Sequence, residues 1–156
     1  MNYTIKDVLD KLIEIEINMS SIYDHISNLQ FDKEYINFKI LAKVMCNEEK
    51  RHADYFKQIR NDILVDENIE IDFLTYDKIS ALIYEFVNKM HEFNKYSVKE
   101  FLKDIFNFEK ENVALLIYIK GKIAKTSLSI NSTNYKILSK LIDEENRHVK
   151  NIGEYL

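Results

Sequence analysis

The sequence predicts an all-α protein: a bundle of four long helices, with a long crossover between the second and third that contains a short extra helix. Three observations predict it. Of 156 residues only 2 are Gly and none is Pro, where average usage would place roughly eleven and eight. Sandwiches, barrels and nucleotide-binding α/β folds lean on those residues in their turns. Apolar residues recur at helical steps over four long stretches, and one long segment without any period separates the second stretch from the third.

Taken in order, Thr4 to Leu29 reads as the first helix, with Ile5, Leu9, Leu12, Ile13, Met19, Tyr23 and Ile26 on its stripe. Asn28 to Asp32 is a short break. The second helix runs from about Lys33 to Ile59 on a stripe of Phe38, Leu41, Met45, Phe56 and Ile59. From Ile63 to Tyr76 isolated acids mix with Ile, Leu and Phe, and the segment reads as a crossing connection. Asp77 is a plausible N-cap for a shorter helix, Lys78 to about Phe93. Ser97 caps a long helix from Val98 to about Lys125, with Val98, Phe101, Leu102, Ile105 and Val113 on its stripe. Ser127 to Asn134 reads as a loop, and Tyr135 to about Ile152 as the last helix. The length suits one domain over residues 1–156.

Charge and cysteine content exclude several classes of function. Twenty-two Lys and Arg against 26 Asp and Glu leave a net charge of −4. That is no footprint for nucleic acid and no polybasic anchor for a membrane. Cys46 stands alone, so no internal disulfide or CxxC pair exists, and a reducing cytoplasm is expected. Met1 to Asp10 carries acids and no apolar block, so no signal peptide is expected there. No run of 18 apolar residues is present to span a bilayer.

The chain also repeats itself. Val8–Glu16 lies over Phe101–Glu109, 93 residues on, and Glu48-Glu49-Lys50-Arg51-His52 lies over Glu144-Glu145-Asn146-Arg147-His148, 96 residues on. Each half reads helix with a central Glu, turn, helix with Glu-x-x-His. A repeat of that length is too long for a solenoid unit; a duplicated helical hairpin fits it.

In each helix a polar residue interrupts an apolar stripe. Glu16 sits among Leu9, Leu12, Ile13, Met19 and Tyr23, and Glu109 among Leu102, Ile105, Phe106, Val113 and Leu116. Glu49 follows Phe38, Leu41 and Met45, and Glu145 follows Leu138, Leu141 and Ile142. His52 and His148 come three residues later and share the face of their Glu. A carboxylate facing a core is costly unless it is paired or binds a metal, and four of them at similar heights repel. Two cations remove that problem, and mixed oxygen and nitrogen ligation suits iron or manganese. One Glu from each of two helices with Glu-x-x-His from each of the other two is the arrangement of di-metal carboxylate bundles.

On these residues the sequence resembles the ferritin-like di-iron superfamily, most closely its rubrerythrin-like branch, over the four long helices. The resemblance implies that Glu16, Glu49, His52, Glu109, Glu145 and His148 ligate two iron ions, with manganese or a mixed pair as alternatives. It implies Glu49 and Glu145 as bridges, Glu16 and Glu109 as terminal carboxylates, and one His on each metal. Tyr23 matches a tyrosine that often follows the first-helix Glu in this branch. The sequence departs from the pattern at Asn112, where rubrerythrins usually carry an additional Glu. The rubredoxin module is also missing, so a separate protein would donate electrons. The implied function is reaction with H2O2 or O2, as peroxide reduction or ferrous-iron oxidation, in a homodimer. Iron storage in an oligomer, a di-iron substrate oxygenase roofed by Ile63 to Phe93, and a metal-free helical scaffold are the alternatives.

Blander readings stand beside these. Glu111 rivals Glu109, because it keeps the spacing to Tyr118 that Glu16 has to Tyr23; its upstream face carries Asp104 and Asn107, and periodicity favours Glu109. Tyr23 is most simply core with a bonded hydroxyl, and Cys46 a small core filler. His25 and His91 fall outside the Glu-x-x-His scheme and read as surface or loop residues. Phe101, Phe106 and Phe108 read as helix packing. Asp32, Lys33, Glu34, Lys50 and Arg51 read as ordinary polar faces.

Overall fold

The computed structural model describes residues 2–63, 69–91, 97–124 and 133–156. Among the described residues the architecture is all-helical apart from one short strand pair. Strand β1 (Tyr3–Thr4) runs antiparallel to β2 (Glu70–Ile71), with Tyr3 opposite Ile71 and Thr4 opposite Glu70. Five α-helices follow in chain order: α1 (Ile5–Asn28), α2 (Ile36–Asp62), α3 (Phe73–His91), α4 (Val98–Ile123) and α5 (Thr133–Gly153). No helix among the described residues is long and apolar enough to cross a membrane.

Local chemistry sets the helix starts. Thr4 precedes α1, and the Asp7 carboxylate accepts from both its backbone N–H and its hydroxyl at 2.7 Å, so the first turn closes on itself. Ser97 opens α4 with the same device: its hydroxyl accepts the Glu100 N–H at 3.2 Å while the Glu100 carboxylate accepts the Ser97 N–H at 3.1 Å. A 3-10 turn at Lys33–Tyr35 precedes α2, so the regular helix starts three residues after the expected Lys33 and runs on past Ile59 to Asp62.

The largest revision concerns α3. It starts at Phe73, not Lys78, and Asp72 caps it in place of Asp77 by accepting the Thr75 N–H at 2.9 Å and the Thr75 hydroxyl at 2.7 Å. Phe73 and Leu74 are 61% and 69% exposed, and such outward apolar residues blur the helical period that would have revealed the first turn. The expected crossing connection therefore holds β2 and the start of α3. Residues 64–68 of that connection, the ends placed at Phe93 and Lys125, and residues 127–132 of the last loop lie outside the described residues. The loop expected to reach Asn134 already gives way to helix at Thr133.

Side-chain pairs fix how the helices run. Asp10 on α1 pairs with Arg60 on α2, and Asp24 with Lys43 at 2.9 Å, so α1 and α2 are antiparallel neighbours. On α4 and α5, Phe106 lies against Gly153, and the Lys120 ammonium sits 5.1 Å from the Tyr135 ring centroid, again antiparallel. Helices α2 and α5 face each other through Arg51 and Glu144. Helix α3 joins through the Phe86–Phe108 stack, with ring centroids 3.7 Å apart, and the β1 end is pinned by Tyr3 stacked on Tyr76. The core between them holds Leu9, Leu12, Met19, Met45, Phe56 and Leu102, all fully buried, each contributing about 1.5–3 kcal/mol. Cys46 is a buried free thiol within this core.

Candidate metal centre

The apolar stripes carry six polar side chains into that core. Glu16 on α1 lies between Leu12 and Met19, and Glu49 on α2 between Met45 and Ala53, all of them buried. Glu109 on α4 lies between Ile105 and Val113, and Glu145 on α5 follows Leu141. With His52 and His148 one turn further on, all six are at most 1% exposed. Their helices contain no Pro, and neither Gly121 nor Gly153 lies within a turn of a ligand, so no kink disturbs the aim of the side chains.

Six side chains form two overlapping groups. Glu16, Glu49, His52 and Glu145 each offer one ligand atom, these atoms lying within 4.8 Å of one another; so do Glu49, Glu109, Glu145 and His148. Glu49 and Glu145 belong to both. His52 Nδ1 lies 2.6 Å from Glu145 Oε1, 3.2 Å from Glu49 Oε2 and 3.7 Å from Glu16 Oε2. His148 Nδ1 lies 3.0 Å from Glu49 Oε1 and 3.2 Å from Glu145 Oε2 without forming a hydrogen bond to either. Glu16 Oε2, both Glu49 oxygens, Glu109 Oε2, Glu145 Oε2 and His148 Nδ1 are buried with no hydrogen-bond partner. Unpartnered buried acceptors cost about 1–3 kcal/mol each. A cation is the partner that satisfies all of them at once, and hard oxygen and imidazole donors can hold one.

Four of the six side chains, the two histidines, Glu16 and Glu109, are also held by groups outside the cluster. The far nitrogen of each imidazole meets a carboxylate of the other repeat: His52 Nε2 lies 2.8 Å from Glu144 Oε2, and His148 Nε2 lies 2.7 Å from Glu48 Oε2. Such outer carboxylates fix the ring's orientation and raise its basicity toward a metal. The terminal carboxylates are held differently in the two halves. Tyr23, fully buried, donates its hydroxyl to Glu109 Oε1. Asn112 donates Nδ2–H to Glu16 Oε1 at 3.3 Å, and its own Oδ1 is buried without a partner.

The electrostatics follow from burial and crowding. Burial raises the pKa of Glu16 well above the usual carboxylate range, and Glu145 and Glu49 push it further; Glu109 moves the same way through burial, Glu49 and Glu145. Burial also raises the Tyr23 phenol, helped by Glu109. Burial opposes charge on Glu49 too, but His148 and His52 outweigh it and hold this carboxylate ionised. For His52 burial favours the neutral ring, yet Glu145, Glu16 and Glu49 outweigh it and raise the pKa far above 6.5. His148 is raised likewise, by Glu145, Glu48 and Glu49 against its burial.

These directions predict proton-coupled metal uptake. Without metal, the surrounding carboxylates favour the doubly protonated imidazolium form of both histidines, and Glu16 and Glu109 lean toward their acid forms. A metal takes neutral imidazole and ionised carboxylate, so those protons must leave, and affinity rises as pH rises. Filling both positions is expected to release about two protons from the imidazoles and up to about four in all. Calorimetric titration in buffers of different ionisation enthalpy counts them; a pH-independent affinity would contradict the assignment.

Thus the structure brings together all six residues singled out from the sequence, with Tyr23 beside them. Glu111 is exposed and lines a groove between α3 and α4, so Glu109 and not its rival faces the centre. His25 is exposed; the His91 side chain lies outside the described residues. Sequence reasoning missed Glu48 and Glu144, and it treated Arg51 as an ordinary polar face, whereas Arg51 Nη2 donates to Glu144 Oε2 at 2.8 Å. The signal was present in the repeat, whose two copies share Glu-Glu-x-Arg-His rather than Glu-x-x-His alone. Comparison with protein-family models, curated proteins and solved structures finds no match to this chain.

Proposed function

We propose that this chain is a rubrerythrin-like member of the ferritin-like four-helix bundles, with α1, α2, α4 and α5 as the bundle and α3 on its long crossover. In this reading it holds two iron ions and reacts with H2O2 or O2, in peroxide reduction or ferrous-iron oxidation. The observation that carries it is the pair of donor groups sharing Glu49 and Glu145. Two carboxylates common to both positions are what a bridged two-metal site requires. Glu16, Glu49, His52, Glu109, Glu145 and His148 would hold the ferrous pair, which would supply one electron per ion, the two electrons that with two protons reduce one H2O2 to two waters.

The chain's own residues set the conditions for that chemistry. Glu48 and Glu144 orient the histidines. Tyr23 anchors one oxygen of Glu109, so that Oε2 is left for the centre, and Asn112 does the same for Glu16. The surrounding Leu12, Met19, Met45, Ile105 and Leu141 are buried and exclude bulk water, which limits side reactions. The test is metal quantitation followed by rapid mixing of the ferrous form with H2O2 and, separately, with O2. A faster H2O2 reaction supports peroxide reduction, and an equal or faster O2 reaction supports iron oxidation. A chain that binds no iron, or whose ferrous form reacts with neither, overturns the proposal.

One observation favours a second reading, a substrate oxygenase. Two adjoining grooves of about 400 and 250 Å³ lie between α3 and α4 and share Leu82, Glu85 and Glu111. Their walls include Phe108 and Leu115, which bracket Asn112 on α4. Ferrous-dependent hydroxylation of a bound organic molecule would support this reading over the first.

A further inference from the structure

Helices α2 and α5 meet in a seam where hydrogen bonds lead from the centre to the surface. Glu144 Oε2 lies 2.8 Å from His52 Nε2 and accepts from Arg51 Nη2 at 2.8 Å. Arg51 is 43% exposed, so a single carboxylate joins a surface guanidinium to a candidate metal ligand. Two further cations from α5 gather on the same carboxylate, Arg147 at 3.7 Å and Lys140 at 3.9 Å, with side chains 62% and 65% exposed. Arg51 also lies 3.9 Å from Glu48, so three cations face two carboxylates, and the seam keeps a surplus positive charge in a chain whose net charge is −4. Val44 and Ile40 continue the α2 surface beyond Glu48, 51% and 64% exposed.

A cationic rim repels metal cations, so this face does not favour metal uptake. It suits a negatively charged partner. Weak, salt-sensitive encounters over small areas are the usual form of contact between redox proteins. We propose that the α2–α5 seam docks a separate acidic one-electron carrier protein, with Arg51, Arg147 and Lys140 as its electrostatic contacts, Val44 and Ile40 as apolar ones, and Glu144–His52 as the route inward. The proposal rests on the redox reading above. The carrier gives up one electron per encounter, and two encounters replace the two electrons that one peroxide takes.

The test titrates the purified chain with two acidic carriers, a [2Fe–2S] ferredoxin and a flavodoxin, and with basic cytochrome c as control. Binding is followed by calorimetry at about 20 mM and about 200 mM salt, which changes the screening length severalfold. Both acidic carriers are expected to bind at low salt and to weaken about tenfold or more at high salt, and cytochrome c to remain unbound. K140E/R147E is expected to weaken carrier binding by about tenfold or more while still taking up two metals. Absence of binding by either acidic carrier, or unchanged binding by K140E/R147E, overturns the docking surface alone. A wild-type chain that takes up no metal overturns the redox reading instead.

Discussion

Replacing Glu49 by Ala is expected to abolish binding at both metal positions, whereas replacing His52 by Ala removes one ion and leaves the other. Glu49 belongs to both donor groups, and His52 only to the one built with Glu16. Losing Glu49 leaves each position with two protein carboxylates and only Glu145 shared between them. Losing His52 leaves Glu49, Glu109, Glu145 and His148 as they were. His148→Ala is the mirror experiment and should spare the Glu16 side. Glu111→Gln should change nothing, since Glu111 is exposed outside the centre. Metal content per chain after desalting separates these outcomes, going from about two to zero, one, one and two in that order. A Glu49 variant that retains two ions would show that the ligands lie elsewhere.

That set of variants was nearly complete from sequence, for a physical reason. A helix repeats its faces every 3.6 residues, so an inward-facing Glu announces itself by its apolar neighbours at three and four residues' distance. Glu16 among Leu12 and Met19 needs no structure to be noticed. The duplicated Glu-x-x-His did the rest, because two copies at matching places in two hairpins identify facing residues. Contacts that cross between helices obey no such local rule. Glu48 meets His148 and Glu144 meets His52 across 100 and 92 residues of chain, and only the packing of α2 on α5 brings them together. The β1–β2 pair is the same case: two residues on each side offer no alternation to detect. Asp72 was overlooked because the apolar residues after it, Phe73 and Leu74, face outward.

Saturating the chain with metal is expected to raise its melting temperature strongly, and this outcome separates a metal centre from a salt-bridged core. Five carboxylate oxygens of Glu16, Glu49, Glu109 and Glu145 lack hydrogen-bond partners, and burial penalises each charged form. The metal-free core therefore carries a cost that apolar residues of similar size would not impose. An ion that binds only the folded chain stabilises it by mass action, about 2.7 kcal/mol at a hundredfold excess over Kd. Two positions give about 5 kcal/mol, provided neither binds the unfolded chain. For a chain of 156 residues each kcal/mol is worth about 2–4 °C, so the shift should reach about 10–20 °C. Thermal melts of chelator-treated and ferrous- or manganous-loaded protein measure it, and the Glu49→Ala variant should show no shift from the same addition. If the carboxylates and histidines served only one another, as a structural ion-pair network, metal would leave the wild-type melting temperature where chelation left it.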